Sequence, residues 1–128
     1  MILDTTFFID LLRNYPPAIR KAQSLILQGT PLLTTTVTVF ELWRGYGTLE
    51  HKKIEKAAEM LDQLLIYPLD VPSAKTAGRI SRTLLEKGQM IEPEDTLIAG
   101  ITLEKNEILL TQNTNHFQRI PNLKLETY

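Results

Sequence analysis

A chain of 128 residues, 43% hydrophobic and 23% charged, is long enough to bury a real core and ordinary in composition, so residues 1–128 read as one globular domain. A formal net charge of -1 leaves no global basic footprint, and any nucleic-acid binding must come from a local patch. The lack of cysteine excludes disulfides, thiolate metal sites and cysteine nucleophiles, and it fits a reducing compartment.

Met1-Ile2-Leu3 is a short apolar run stopped by Asp4, which reads as a central strand with the acid at its carboxyl end. It lacks the basic region and long apolar core of a signal peptide, and no run in the chain approaches a membrane span, so the expected location is the cytoplasm. Thr5 and Thr6 can cap a short helix from Phe7 to Arg13, with Phe8, Leu11 and Leu12 on one face. Pro16-Pro17 opens a second helix striped by Ala18, Ala22, Leu25 and Ile26 and ended by Gly29. Leu32-Leu33-Thr34-Thr35 is the next strand, after which Thr36 or Thr38 can cap a helix through Phe40, Leu42, Trp43 and Tyr46 that ends near Gly45 and Gly47. Glu41 lies inside that helix.

Lys53 to Leu65 has the clearest helical periodicity, through Ile54, Ala57, Ala58, Leu61, Leu64 and Leu65. Ile66-Tyr67-Pro68-Leu69 is a weak strand, sent toward a sheet edge by its proline. Asp70-Val71-Pro72 signals another helix start, with Ala74, Ala77, Ile80, Ser81, Leu84 and Leu85 as the stripe up to Gly88. A helix opening at Asp95 is apolar along most of its length through Leu97, Ile98, Ile101 and Leu103, which predicts burial. Ile108-Leu109-Leu110 is a buried strand ending in the polar run Thr111-Gln112-Asn113. Residues 113–121 form a loop or short helix around Phe117, and Leu123-Lys124-Leu125-Glu126 alternates as a last strand. Strands alternating with helices predict an α/β fold: a parallel sheet of about four to five strands flanked by helices on both faces.

Ligands of such sheets bind beyond the carboxyl ends of the strands. The first strand delivers Asp4 there, the second leads into the helix of Glu41, and the fourth delivers Thr111 and Asn113. Asp95 joins them if its helix packs with its amino end over that edge. Carboxylates gathered in one cleft repel one another unless a cation is present. An oxygen-rich site without Cys or His suits Mg²⁺ or Mn²⁺, which keeps waters and takes phosphate oxygens, and that chemistry is phosphodiester hydrolysis. Each acid also has an ordinary explanation. Asp4 can cap the helix after it, Asp95 can answer a helix dipole, and Glu41 can pair with Arg44 on a solvent face. Asp10 reads as locally paired or solvated, and Glu92 and Glu94 as dipole partners in a first helical turn rather than ligands.

Four blocks carry a resemblance: M-I-L-D-T-T-F-F-I-D-L-L-R, T-V-T-V-F-E-L-W-R-G, I-E-P-E-D-T-L-I-A and I-L-L-T-Q-N-T-N-H-F-Q-R-I-P-N-L-K-L-E. Together they resemble the PIN-domain ribonucleases, and most of all the VapC toxins of toxin–antitoxin pairs. The blocks span nearly the whole chain in the right order. A lone L-D-T or E-L-x-x-G is weak; D-x-x-I-A followed by T-x-N-x-x-x-F is more specific.

The resemblance implies a PIN-like fold, an acidic pocket for Mg²⁺ or Mn²⁺, an RNA substrate, a cognate antitoxin and a homodimer. It places Asp4, Glu41 and Asp95 as metal ligands and, together with Asn113 at the polar position after the fourth strand, as the catalytic residues. Thr6 and Thr111 complete the pocket. Many relatives carry a fourth acid at the position of Asn113 or of His116, so its absence here favours one metal over two. Arg13, Arg44, Lys105 and His116 are candidates for substrate contacts, against their commoner roles as surface groups. Phe117 reads as core. Trp43 and Tyr46 read either as core or as the lining of a partner groove. The alternatives are a PIN nuclease outside a toxin pair, acting in RNA processing or on structured DNA, a catalytically dead PIN fold, and a phosphoryl-receiver-like signalling module. The last requires acids adjacent to the first strand's terminal Asp, and Asp4 has none.

Overall fold

The computed structural model describes residues 1–45 and 50–128. Five short strands, β1 (Ile2–Leu3), β2 (Leu33–Thr35), β3 (Leu65–Tyr67), β4 (Ile108–Leu110) and β5 (Lys124–Glu126), form one sheet in the order β3-β2-β1-β4-β5. Every pairing is parallel, with Ile2 opposite both Leu33 and Leu109, and Leu3 opposite Leu110. The connections hold α1 (Thr5–Leu12), α2 (Pro16–Leu27), α3 (Thr36–Arg44), α4 (His51–Leu61), α5 (Val71–Glu86), α6 (Pro93–Glu104) and the single turn α7 (Thr114–Phe117).

The alternation of side chains along a strand divides the core in two. Ile2, Leu33 and Leu109 pack with Leu84 of α5, with Ile98 and Ile101 of α6, and with Phe117. Leu3 and Leu110 face the other way, onto Phe7 and Phe8 of α1, Ala18 and Leu25 of α2, Leu42 of α3 and Leu61 of α4. Because α6 is covered on nearly every side, Thr96 and residues 98–102 are all buried. Its contact with α5 is close enough that a Cβ on Gly100 would lie 2.5 Å from the Ser73 carbonyl oxygen. No helix among the described residues is long and apolar enough to cross a membrane.

Several element boundaries differ from the sequence expectation. Helix α1 begins at Thr5 with Asp4 as its N-cap residue, so Thr5 and Thr6 lie inside the helix rather than capping it. The cap of α3 is Thr35, whose hydroxyl accepts from the Thr38 amide, not Thr36 or Thr38. Helix α4 spans His51–Leu61, four residues short of the predicted end, because Leu65 joins β3. Leu65 is 60% exposed there, since β3 is an edge strand and its pattern is no longer helical. The stripe of α5 is narrower than expected: Ser73, Ala77 and Leu84 are buried, whereas Ala74, Ser81 and Leu85 face out. On α2, Ala18 and Leu25 are buried and Ile26 is exposed. Helix α6 opens at Pro93, two residues before Asp95. The expectations for Tyr46 and Gly47 fall outside the described residues.

Candidate active site

The ends of β1 and β4 build the floor of a cavity of about 530 Å³. The Asp4 amide extends the sheet by donating to the Leu110 carbonyl at 3.0 Å, and its own carbonyl accepts from Phe7 to start α1. The carboxylate makes no cap bond to the helix. Instead its Oδ2 accepts from the hydroxyls of Thr6 at 2.9 Å and Thr111 at 2.6 Å. Capping therefore does not explain Asp4. With the residue only 2% exposed, burial pushes its carboxyl above the usual range, and the two hydroxyls oppose that shift.

Helix α3 leaves β2 directly and carries Glu41 to the same cavity. The Glu41 Oε1 accepts from the Thr5 hydroxyl at 2.7 Å, and Oε2 stands 3.7 Å from Arg44 Nη2. Burial raises the Glu41 carboxyl, the Thr5 bond lowers it, and the charges of Asp4 and Asp95 raise it further. The first turn of α6 brings Asp95 to the third side. Its Oδ2 accepts from Asn113 Nδ2 at 3.1 Å and lies 3.0 Å from His116 Nδ1. Burial raises Asp95, the His116 contact lowers it, and the neighbouring charges of Glu92 and Glu94 raise it.

Asp4, Thr6, Glu41, Arg44, Asp95, Asn113 and His116 thus line one cavity, with Thr111 reaching it through Asp4. Two expected contacts lie elsewhere. Arg13 is exposed at the far end of α1 and does not line the cavity. Lys105, at the opposite end of α6 from Asp95, pairs with Asp70 at 3.6 Å and sits over the Tyr67 ring. Asp10 is not paired locally: it is half-buried, and its carboxylate accepts from the Tyr128 hydroxyl at 2.8 Å. Trp43 is 42% exposed, so it is not core, whereas Phe117 is fully buried.

The structure also adds residues that the sequence reading did not place here. Thr5 anchors Glu41, and Ile9 adds an apolar wall. Glu92 and Glu94 line the cavity as well, and Glu94 takes the closer contact of Arg44 at 2.6 Å. Its own amide and that guanidinium hold the Glu94 carboxyl below its ordinary value. Helical spacing in T-T-F-F-I was the available signal for Thr5 and Ile9, since they recur four residues apart on one face of α1.

All the acidic donors are oxygens, and the buried Asp4 and half-buried Glu41 and Asp95 repel one another, a donor chemistry that suits a hard divalent cation. Among the described residues, no three acid or histidine side chains stand close enough to enclose an ion. Magnesium-type ions do not require such a cage, because they keep several waters and bind through one or two carboxylates.

Residues 1–123 match the PIN domain family. The chain belongs to that family. This PIN domain is 30% identical over 130 residues to Ribonuclease VapC1 of Haemophilus influenzae strain R2866, an alignment covering 99% of this chain and 96% of the relative. It is 28% identical over 129 residues to the tRNA(fMet)-specific endonuclease VapC of Shigella flexneri, with coverages of 99% and 96%. Among solved structures, the PIN domain resembles a chain of VapBC2 from Rickettsia felis bound to a DNA fragment from their promoter. That match has a TM-score of 0.87 and 25% identity and covers 99% of this chain and 97% of the other. DNA-bound VapBC from Salmonella typhimurium gives a TM-score of 0.87 and 26% identity, with coverages of 98% and 96%.

Proposed function

We propose that this PIN domain is the toxin of a toxin–antitoxin pair, an endoribonuclease that hydrolyses RNA phosphodiester bonds with a divalent cation, Mg²⁺ or Mn²⁺. One observation carries the reading: Asp4, Glu41 and Asp95, far apart in sequence, line a single cavity at the sheet's carboxyl edge. They do so in a domain whose full-length relatives are named ribonuclease and tRNA endonuclease.

Asp4, Glu41 and Asp95 would hold the cation together, one or two of them directly and the rest through its waters, because among the described residues no three acids stand close enough to enclose an ion. When bound, the cation supplies charge neutralisation at the phosphate and makes water a better nucleophile. The chain's own residues do the rest. Thr6 and Thr111 fix the Asp4 carboxylate from one side, and Thr5 fixes Glu41. Arg44, tied to Glu94 at the mouth of the cavity, supplies positive charge where an RNA phosphate would enter. The absence of an acid at Asn113 and His116 favours one protein-held cation over two. The partners in this reading are RNA, a cognate antitoxin protein and a second copy of the chain, and the compartment is the cytoplasm.

The test is sequencing of RNA ends after controlled expression of the chain, repeated with Asp4→Asn and with the product of the neighbouring gene. The expected result is new cleavage ends that vanish in Asp4→Asn and are suppressed by the neighbour's product. Undiminished cleavage by the purified Asp4→Asn protein would overturn the assignment of the site. Cleavage indifferent to the neighbour's product would instead place the nuclease outside a toxin pair.

A further inference from the structure

The segment after β4 serves two of the three acids. Thr111 donates its hydroxyl to Asp4 and accepts from the Asn113 amide at 2.9 Å. Asn113 then stands at the N-cap position of α7, where an asparagine side chain ordinarily accepts from the helix's free amides. It makes no such bond. Its side-chain amide goes to Asp95 Oδ2 instead, and His116, three residues on and on the same side of the turn, brings Nδ1 to that same oxygen. Asn113 Nδ2 also stands 2.9 Å from His116 Nδ1, so the amide, the ring and the carboxylate oxygen form one hydrogen-bonded cluster in which the ring's tautomer sets the direction at Nδ1. Among the described residues no other hydrogen bond reaches the Asp95 side chain, so its second oxygen is left to the cavity that Asp95 lines.

Resting on the reading of Asp95 as a cation ligand, we infer that Asn113 and His116 are positioning residues that act through Asp95, clamping one of its oxygens so that the other is presented to the cation. Hydrogen bonds to a ligating carboxylate set its orientation, and losing them typically weakens metal binding about 10- to 100-fold. The residues that stand where many relatives have a fourth acid are therefore not a spare ligand pair. They hold the third ligand still.

The experiment measures Mn²⁺ binding to the purified full chain by titration calorimetry, alongside the melting temperature without metal. His116→Ala should weaken Mn²⁺ affinity by about 10- to 100-fold, with the metal-free melting temperature little changed because the ring is partly exposed. His116→Gln, which restores an N–H donor, should recover much of the loss. Asn113→Ala provides the same test if His116→Ala folds poorly. Unchanged or tighter Mn²⁺ binding in His116→Ala and Asn113→Ala, with binding abolished in Asp95→Asn, would overturn the inference and leave the cation site standing. Wild-type Mn²⁺ binding in both Asp95→Asn and Asp4→Asn would instead remove the reading on which the inference rests.

Discussion

Asp4 is the most deeply buried acid in the cavity. Burial penalises its charged form, the Thr111 and Thr6 hydroxyls and the Thr5 backbone amide oppose that penalty, and Asp95 adds repulsion. Its pKa in the folded chain lies above the ordinary 3.8, so across the interval between the two values the folded state holds a proton that the unfolded state has released. Stability therefore falls as pH rises through that interval and stays lower above it. Glu41 and Asp95 are shifted the same way. At neutral pH without metal, Asp4→Asn should melt higher than the wild type, because the amide oxygen still accepts the hydroxyls and no buried charge remains. The same variant should lose more than about a hundredfold in RNA cleavage, since it removes a cation ligand. Added Mn²⁺ at about 100 times its dissociation constant should stabilise the wild type by about 2.7 kcal/mol and the variant by less, as read by thermal denaturation. A variant that melts lower than the wild type in metal-free buffer would contradict the account of Asp4.

At the scale of elements, the site depends on how α6 is seated. Its amino end carries Asp95 to the cavity, and its middle lies against α5 at Gly100. A methyl group there would strike the Ser73 carbonyl and the Ala77 amide, both backbone atoms that cannot step aside. Gly100→Ala should cost about 1–3 kcal/mol in urea unfolding and lower activity as well, because the displaced helix bears Asp95. Ser73 provides the contrast. Its buried hydroxyl stands beside the Asp70 carboxylate, whose pKa it lowers, so Ser73→Ala should change urea unfolding by less than about 1 kcal/mol. Helix starts marked by proline, at Pro16-Pro17 and at Val71-Pro72 after the Asp70 cap, were legible because the signal lies within one turn. The end of α4 was not. Leu61, Leu64 and Leu65 keep a helical rhythm, and only pairing with β2 pulls Leu65 out of it.

At the scale of the molecule, β1 sits at the centre of a five-stranded sheet, so the first acid emerges between β2, which feeds α3, and β4, which feeds α7. Parallel pairing sends all three strand ends to one edge. The chain as a whole adds little long-range attraction for RNA, with a net charge of -1 and Arg44 already engaged by Glu94. A protein making 6–10 phosphate contacts loses about 10³–10⁵ in affinity between 50 and 200 mM salt, whereas this chain should lose less than about tenfold. Fluorescence anisotropy with Asp4→Asn and a short labelled RNA checks this, and a steep salt slope would reveal a basic surface that the charge distribution does not explain.

The succession of strands and helices along the chain and the arrival of Asp4 at the sheet edge follow from the residues alone, whereas Glu41 and Asp95 kept ordinary alternatives until the packing of α3 and α6 brought them to the cavity. Apolar runs, proline and short polar stops act over a few positions, and a parallel sheet must gather its strand ends. What each side chain touches was decided only in three dimensions. Asp10 meets Tyr128 across 118 positions, Thr5 anchors Glu41, and Asn113 and His116 share one oxygen of Asp95. Such contacts depend on the depth and angle at which helices settle on the sheet, a quantity set by packing between distant segments and written in no local run of residues.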